Sequence, residues 1–517
     1  MSPTASGPTP PPSVAVVGGG IAGLAAAWEL VTGSPGPPPE VVVFEADDRL
    51  GGKLRSAAFG DRRVDVAADA FLARRPEATG LCAELGLTDQ LVPVGASGAS
   101  VWARNRLRPL PTGLNLGVPT RWWPLLRSGI LGPAESARVL SDLVLPHLGT
   151  GQAFGDRTVG EIVGARLGRS VVERLADPLI GGINAGGVDH LSAAATFPVL
   201  LAASHQSGSL MRRLGVALAA AGRSGPGPVT PVFWSLADST ASLVDALTGA
   251  LTARGVTFAV GTPVDAVDRR AGAAGGRPRW GLTLGPPDPA PGRALHPEHD
   301  HPEFDGVILA TPAPRAGILI APHAPRAAGL LSGIEYASVA VVTLSLPEGS
   351  IRTPLRGTGF LVPRTAVVGG RPALITGCTY LDRKWPHLAR PGEELIRVSV
   401  GRFGDDRFAS LDDGALTAAA LAEMRSLIDS RGEPLDSMVT RWPHAFPQYE
   451  VGHLIRVGRI EEELALLPGM AVAGAALRGV GIPACIGSGR AAARRVLASL
   501  AAASDGSTPS AGHPSGP

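Results

Sequence analysis

The chain has 517 residues and a mass of 52.7 kDa, more than one hydrophobic core usually organises, so two or three domains are expected. Hydrophobic residues make up 44% of it, yet no uncharged apolar run reaches the ~18 residues of a membrane-spanning helix. A net charge of +2 gives no basic surface for nucleic acid.

Cys82, Cys378 and Cys485 are few and far apart, and the start Met1-Ser2-Pro3-Thr4-Ala5 has neither a basic n-region nor an apolar core. Both features fit a reducing cytoplasm. Lysine occurs only at 53 and 384, and Ala, Gly and Pro abound, which reads as the coding bias of a GC-rich bacterial genome. Residues 1–12 and 501–517 are poor in apolar side chains and are expected to be loose tails.

The first element is an apolar strand, Ser13 to Val17, running into Gly18-Gly19-Gly20-Ile21-Ala22-Gly23; a second strand, Val41-Val42-Val43-Phe44, ends on Glu45. This order grips a dinucleotide. Gly18 permits the tight turn, Gly20 lets a pyrophosphate approach bare backbone, and Gly23 lets the helix pack close to the sheet. The helix N-terminus faces the phosphates, and Glu45 accepts hydrogen bonds from the ribose hydroxyls. Arg49-Leu50-Gly51-Gly52-Lys53 follows at once. It resembles the second signature of the flavoproteins that include amine oxidases, phytoene desaturases and porphyrinogen oxidases, and so implies FAD.

Further along, residues 96–229 read as a mostly helical insertion, Ala- and Leu-rich from Glu135 to Gly222. Within it, Trp122-Trp123-Pro124 suits either a membrane interface or a cavity wall. Next come a strand near Phe233 to Leu236, a helix from Ser239 to Arg254, and strands at Val256 to Val260, Trp280 to Leu284 and Gly306 to Ala310. These return the chain to the nucleotide-binding domain, assembled from 13–95, 230–315 and 440–500. Between them, the Pro-rich tract holding His296, His299 and His301 reads as a solvated hairpin extension, because it offers no rigid element to orient metal ligands. Residues 316–439 alternate strands with a helix from Gly414 to Ser430, which suggests a sheet-containing substrate domain. One more strand, Met470 to Ala473, precedes a long terminal helix. The expected fold class is α/β, α+β overall.

Four stretches then agree in order with one family. They are Asp177-Pro178-Leu179-Ile180-Gly181-Gly182-Ile183-Asn184-Ala185-Gly186; Cys378-Thr379-Tyr380 with Lys384-Trp385-Pro386; Arg441-Trp442-Pro443 with Pro447-Gln448-Tyr449; and Gly479-Val480-Gly481-Ile482-Pro483 after the last strand. Together, over about 13–500, they resemble the oxygen-dependent protoporphyrinogen and coproporphyrinogen III oxidases, flavoenzymes of haem synthesis. The resemblance implies a Rossmann-like FAD domain, a substrate domain and a helical domain. It also implies removal of six electrons from a porphyrinogen, two per cycle, with oxygen as acceptor and hydrogen peroxide as product.

On this resemblance, non-covalent FAD would meet Gly18, Gly20, Ile21, Ala22, Gly23, Glu45, Gly52, Lys53 and Val264. The flavin end would meet Ala67, Ala68, Asp69, Ala70, Trp442, Val480, Gly481 and Ile482. No catalytic side chain and no metal ligand are expected, since the flavin does the hydride chemistry. Substrate walls are assigned to Ile183, Phe71 and Tyr380, and a carboxylate partner to Arg74 or Arg75. Cys485 reads as a buried structural thiol. Coproporphyrinogen III is the expected substrate. Protoporphyrinogen IX is the first alternative, and a flavin amine oxidase or a non-catalytic flavoprotein partner stands outside that class. The resemblance leaves room for peripheral membrane contact and for transient contact with other haem-pathway enzymes.

Overall fold

The computed structural model describes residues 11–144, 155–221, 231–270, 278–286 and 302–504. The tract with His296, His299 and His301 lies outside the described residues, as do 1–10 and 505–517 of the two expected tails.

In chain order, β1 (Ser13–Val17), α1 (Ile21–Thr32) and β2 (Glu40–Phe44) come first, followed by β3 (Phe71–Leu72), α2 (Pro76–Glu84) and the hairpin β4 (Ser100–Ala103) and β5 (Arg106–Pro109). A helical stretch follows, with α3 (Val159–Leu167), a π-helix (Val172–Gly181) and α4 (Leu210–Ala221). The chain then makes β6 (Phe233–Leu236), α5 (Ala241–Thr252), β7 (Thr257–Ala259) and β8 (Gly306–Leu309). Next are β9 (Tyr336–Pro347), β10 (Gly359–Leu361), β11 (Ile375–Tyr380), β12 (Glu393–Val400), α6 (Asp413–Leu427) and β13 (Asp436–Pro447). Last come β14 (Met470–Val472) and α7 (Ile482–Ser504).

Five strands, ordered β7-β2-β1-β8-β14, form a parallel sheet. Its three central strands read as apolar runs, Val14–Val17, Val41–Phe44 and Val307–Leu309, because both faces are covered. Val14, Val16, Val41 and Val43 pack on one side with α1 and α7, while Ala15, Val17, Val307 and Leu309 pack on the other with helices Ala313–Ile320 and His453–Ala465. Close approach sets the glycines here. A Cβ on Gly23 would strike the Gly18 carbonyl, and one on Gly489 of α7 would strike the Ala22 carbonyl of α1.

The second sheet has seven strands in the order β13-β9-β12-β11-β10-β4-β5. In β9, Ala340, Val342 and Leu344 pack under Leu416, Ala420 and Met424 of α6, and the alternate residues Val339 and Val341 face a cavity. Strands β4 and β5, in the stretch expected to be helical insertion, extend this sheet: Ser100 pairs with Phe360. The two strands pair locally with each other, but β4's other partner, β10, is more than 250 residues away, so no local pattern assigns the hairpin to this sheet. Most of β13, read as returning to the first domain, pairs along β9 instead. The helical stretch has its own core, Val163, Leu167, Leu175, Leu200 and Leu214, into which Val101 and Ala103 of β4 insert.

Candidate cofactor and substrate site

One cavity of about 1200 Å³ runs from the first glycine turn, past the N-terminus of α7, to the inner face of the seven-stranded sheet. Gly18, Gly20, Ile21 and Ala22 line its nucleotide end. The N-terminus of α1 has no side-chain cap and no acidic residue in its first turn, so its free N–H groups and positive dipole end are left for an anion. Gly20 meets the second glycine turn there: a Cβ added to it would find only the Gly52 Cα, at 4.0 Å.

Glu45 follows directly on β2 at the same place. Its Oε2 accepts from the Gly19 N–H at 2.7 Å and its Oε1 from the Asp47 N–H at 2.9 Å. Burial raises its carboxyl above the ordinary value, against the pull of those two amides. Gly52, Lys53 and Val264 also line the cavity. Loss of water around the Lys53 ammonium lowers its pKa.

Farther in, Ala67, Ala68, Ala70, Trp442, Val480, Gly481 and Ile482 form a second group. Trp442 is aimed by its indole N–H, which donates to the Val66 carbonyl at 2.8 Å. The N-terminus of α7 at Ile482 brings a second positive dipole end to this wall. Cys485 lies beside it, and burial pushes its thiol up to about 11.

These residues fit an elongated dinucleotide with a flat head group. Two anion-favouring helix ends, a glycine cradle and a ribose-level carboxylate line one continuous space.

Two of the residues assigned to the cofactor do not line this space. Gly23 serves helix packing, as above. Asp69 turns away from its neighbours into a buried cluster, where it accepts from Lys384 Nζ with both oxygens at 2.9 Å, from Arg397 Nη2 at 3.0 Å and from Trp385 Nε1 at 3.1 Å.

On the substrate side, Ile183 lines the cavity and is 50% exposed into it. The other expected contacts lie elsewhere. Phe71 is buried in the core between α1 and α2, because strand alternation turns its neighbour Leu72, not Phe71, to the cavity. Tyr380 sits at the end of β11 against Phe360, four residues beyond the cavity-lining Thr376. Arg74 and Arg75 are exposed at the start of α2, where Arg75 faces Glu77 at 3.8 Å. Trp122 and Trp123 stand at the surface, 43% and 55% exposed, edge to face at 5.5 Å.

What the sequence reading missed is a group of arginines on the sheet. Arg364, Arg397, Arg402 and Arg441 all line the cavity. Arg441 stood in a quoted motif beside Trp442, and Arg402 directly follows the Val400-Gly401 strand end; neither position carries a signal that separates it from a surface arginine.

Residues 21–497 match the family model described as flavin containing amine oxidoreductase. Over 94% of its length the chain is 32% identical to a coproporphyrinogen III oxidase of Bacillus subtilis, covering 98% of that protein. Another coproporphyrinogen III oxidase, from Propionibacterium freudenreichii, is 34% identical over 99% of this chain and 96% of its own. A solved structure from Exiguobacterium sp. 255-15, assigned provisionally as a protoporphyrinogen oxidase, superimposes with a TM-score of 0.79 at 30% identity, covering 94% of this chain and 99% of that one.

Proposed function

The chain belongs to the flavin-containing amine oxidoreductases, and on that premise we propose that it is an FAD-dependent coproporphyrinogen III oxidase of haem synthesis. The observation that carries this is end-to-end similarity to enzymes of that name, in a molecule whose main cavity joins a dinucleotide cradle to an apolar, arginine-bearing chamber.

Gly20, Ile21 and Ala22 would hold the diphosphate by backbone N–H groups, Glu45 the ribose, and Trp442 with Val480 to Ile482 the isoalloxazine end. Gly18, whose own N–H is spent on the Phe44 carbonyl, makes the turn that presents those N–H groups. Bound there, FAD would supply the two-electron acceptor for hydride from a meso carbon and the route of those electrons to oxygen. The protein's part is placement and exclusion of water. Ile183 on one side and Val339, Val341, Val362 and Val400 on the other form apolar walls suited to a macrocycle several rings wide. Each hydride loss releases one proton, which after tautomerisation of the macrocycle departs from a pyrrole nitrogen to solvent water, so the step calls for no dedicated acid or base.

No helix among the described residues is long and apolar enough to cross a membrane. We place the enzyme in the cytoplasm, with Trp122 and Trp123 as the surface for any peripheral membrane contact.

The test is an aerobic assay with coproporphyrinogen III and protoporphyrinogen IX in parallel, followed by porphyrin fluorescence. Faster turnover of coproporphyrinogen III supports the proposal. Equal or greater efficiency with protoporphyrinogen IX moves the substrate assignment, and failure with both removes it.

A further inference from the structure

Of the four guanidiniums on the sheet side of the cavity, two are already committed. Arg397 is bound to Asp69, and Arg441 donates to Asp413 at 2.9 Å and to the Leu411 carbonyl at 2.7 Å. Arg364 and Arg402 are not. Arg402 is 8% exposed, donates from Nη2 to the Ala373 carbonyl at 3.2 Å, and has an Nε with no hydrogen-bond partner among the described residues. Its nearest carboxylate, Asp405, is 3.6 Å away and is held by Arg407 through two bonds of 2.7 and 2.8 Å. Arg364 donates to the Phe403 carbonyl at 3.2 Å and faces Asp177 of the π-helix at 3.9 Å. Asp177 in turn accepts from the Val188 N–H at 3.1 Å.

Glu423 and Asp189 add their fields to Arg407 and Arg364, but among the described residues no carboxylate hydrogen-bonds the Nε of Arg402, which is left unpaired at the cavity wall. A buried guanidinium short of a partner is costly unless something anionic completes it, and a planar fork is shaped for a carboxylate.

Resting on the function proposed above, we propose that Arg402 and Arg364 are the receptor for a propionate carboxylate of the porphyrinogen, and that they determine its specificity. Every pyrrole ring of coproporphyrinogen III carries a propionate. Whichever ring points at Arg402, a carboxylate therefore arrives. In protoporphyrinogen IX two of the four rings carry vinyl groups instead, and in orientations that turn these to the wall the guanidinium stays unpaired. A receptor satisfied by every ring therefore favours the tetracarboxylate in whichever orientation it binds.

The experiment uses the FAD-loaded enzyme and the variants Arg402→Met, Arg402→Lys and Arg364→Met, each checked for flavin content and melting temperature. Affinity for coproporphyrin III is read at equilibrium by porphyrin fluorescence quenching, and KM and kcat are measured with both porphyrinogens. The expected result is a roughly ten-fold or greater loss of coproporphyrin affinity and a matching rise in KM in both Met variants. kcat should move less than KM, Lys should restore part of the loss, and preference over protoporphyrinogen IX should shrink. Unchanged affinity in flavin-replete Arg364→Met and Arg402→Met overturns the receptor. If Arg402→Met does not fold, Arg364→Met, at a side chain 36% exposed, decides alone. Arginine-dependent binding by a wild-type enzyme that oxidises neither porphyrinogen would uphold the receptor and sink the proposed reaction, so the two failures are separable.

Discussion

Asp69 and Arg397 meet where the cavity-lining loop of residues 67–70 crosses the seven-stranded sheet, with Nη2 3.0 Å from Oδ2 and both side chains nearly closed to solvent. Lys384 completes the cluster on the same carboxylate, while a second Arg397 guanidinium nitrogen donates to the Asp65 carbonyl at 3.0 Å. The loop that carries Ala67, Ala68 and Ala70 to the cavity is therefore fixed by a charge cluster behind it.

Removing that carboxylate strands two buried cations. Asp69→Asn should cost about 3–5 kcal/mol of stability at pH 7 and loosen flavin retention. Burial alone would raise the Asp69 carboxyl, but Arg397 and Lys384 hold it well below the ordinary carboxylate range. Its stabilisation is therefore present above the unfolded-state value of ~3.9 and is lost as pH falls through the lower folded-state value. Urea denaturation from pH 2 to 8 should show a constant gap between wild type and variant at neutral pH that begins to narrow below about pH 4.

Asp65 carries the opposite sign. Burial pushes its carboxyl up to about 7 against the hydrogen bonds from Thr240. A raised folded-state pKa gives stability that is complete below the unfolded-state value of ~3.9 and is lost as pH rises to about 7. Asp65→Asn should accordingly raise the melting temperature at pH 8 by about 2 °C or more, with little gain at pH 4. A variant less stable at pH 8 would show that the ionised form is favoured in the folded protein.

Gly20 and Gly23 separate cofactor binding from folding. An added side chain at Gly20 meets open cavity, whereas one at Gly23 meets the Gly18 carbonyl. Gly20→Leu should purify folded, with wild-type circular dichroism but without flavin absorbance. Gly23→Leu should lose both. Flavin retained by Gly20→Leu would place the diphosphate away from the cradle.

Flavin should leave the polypeptide entirely on acid precipitation, and Cys485→Ser should keep full FAD content, because the buried thiol stays protonated and its one hydrogen-bond contact among the described residues is a long one to the Val480 carbonyl, 3.9 Å. Flavin absorbance in the washed pellet would indicate a covalent link.

Three hydrogen peroxide should form per porphyrin, since six electrons leave in two-electron steps. A peroxide electrode read against porphyrin absorbance tests this ratio, and a ratio far from three, or a strict need for a quinone, would change the acceptor.

The gathering of the first glycine turn, Glu45 and the second glycine turn at one end of the cavity was legible because its information is local. Turn glycines, apolar strand and acidic strand end lie within residues 13–53, and the structure keeps them together. Orientation was harder to read. Phe71 and Leu72 are adjacent apolar residues in a two-residue strand, and only the pairing of Trp234 with Phe71 fixes which of them faces the core. Asp69 sat in the right segment, but its partners Lys384 and Arg397 are over 300 residues away. Arg402 is distinguished from any surface arginine only by a burial that tertiary packing creates, and nothing in its neighbours announces it.

The order β7-β2-β1-β8-β14 also dictates when this molecule can exist at all. Val14 in the middle strand waits for Gly306, its partner 292 residues later, and the far strand starts only at Met470. At roughly 5–20 residues per second on the ribosome, the first strand spends about 15–60 s with one edge unpaired. Such long-range pairing slows folding and leaves apolar strand edges open to other chains. No ligand of the cavity can shorten that interval, because its last wall, Val480 to Ile482, is translated when the rest of the sheet has already been waiting.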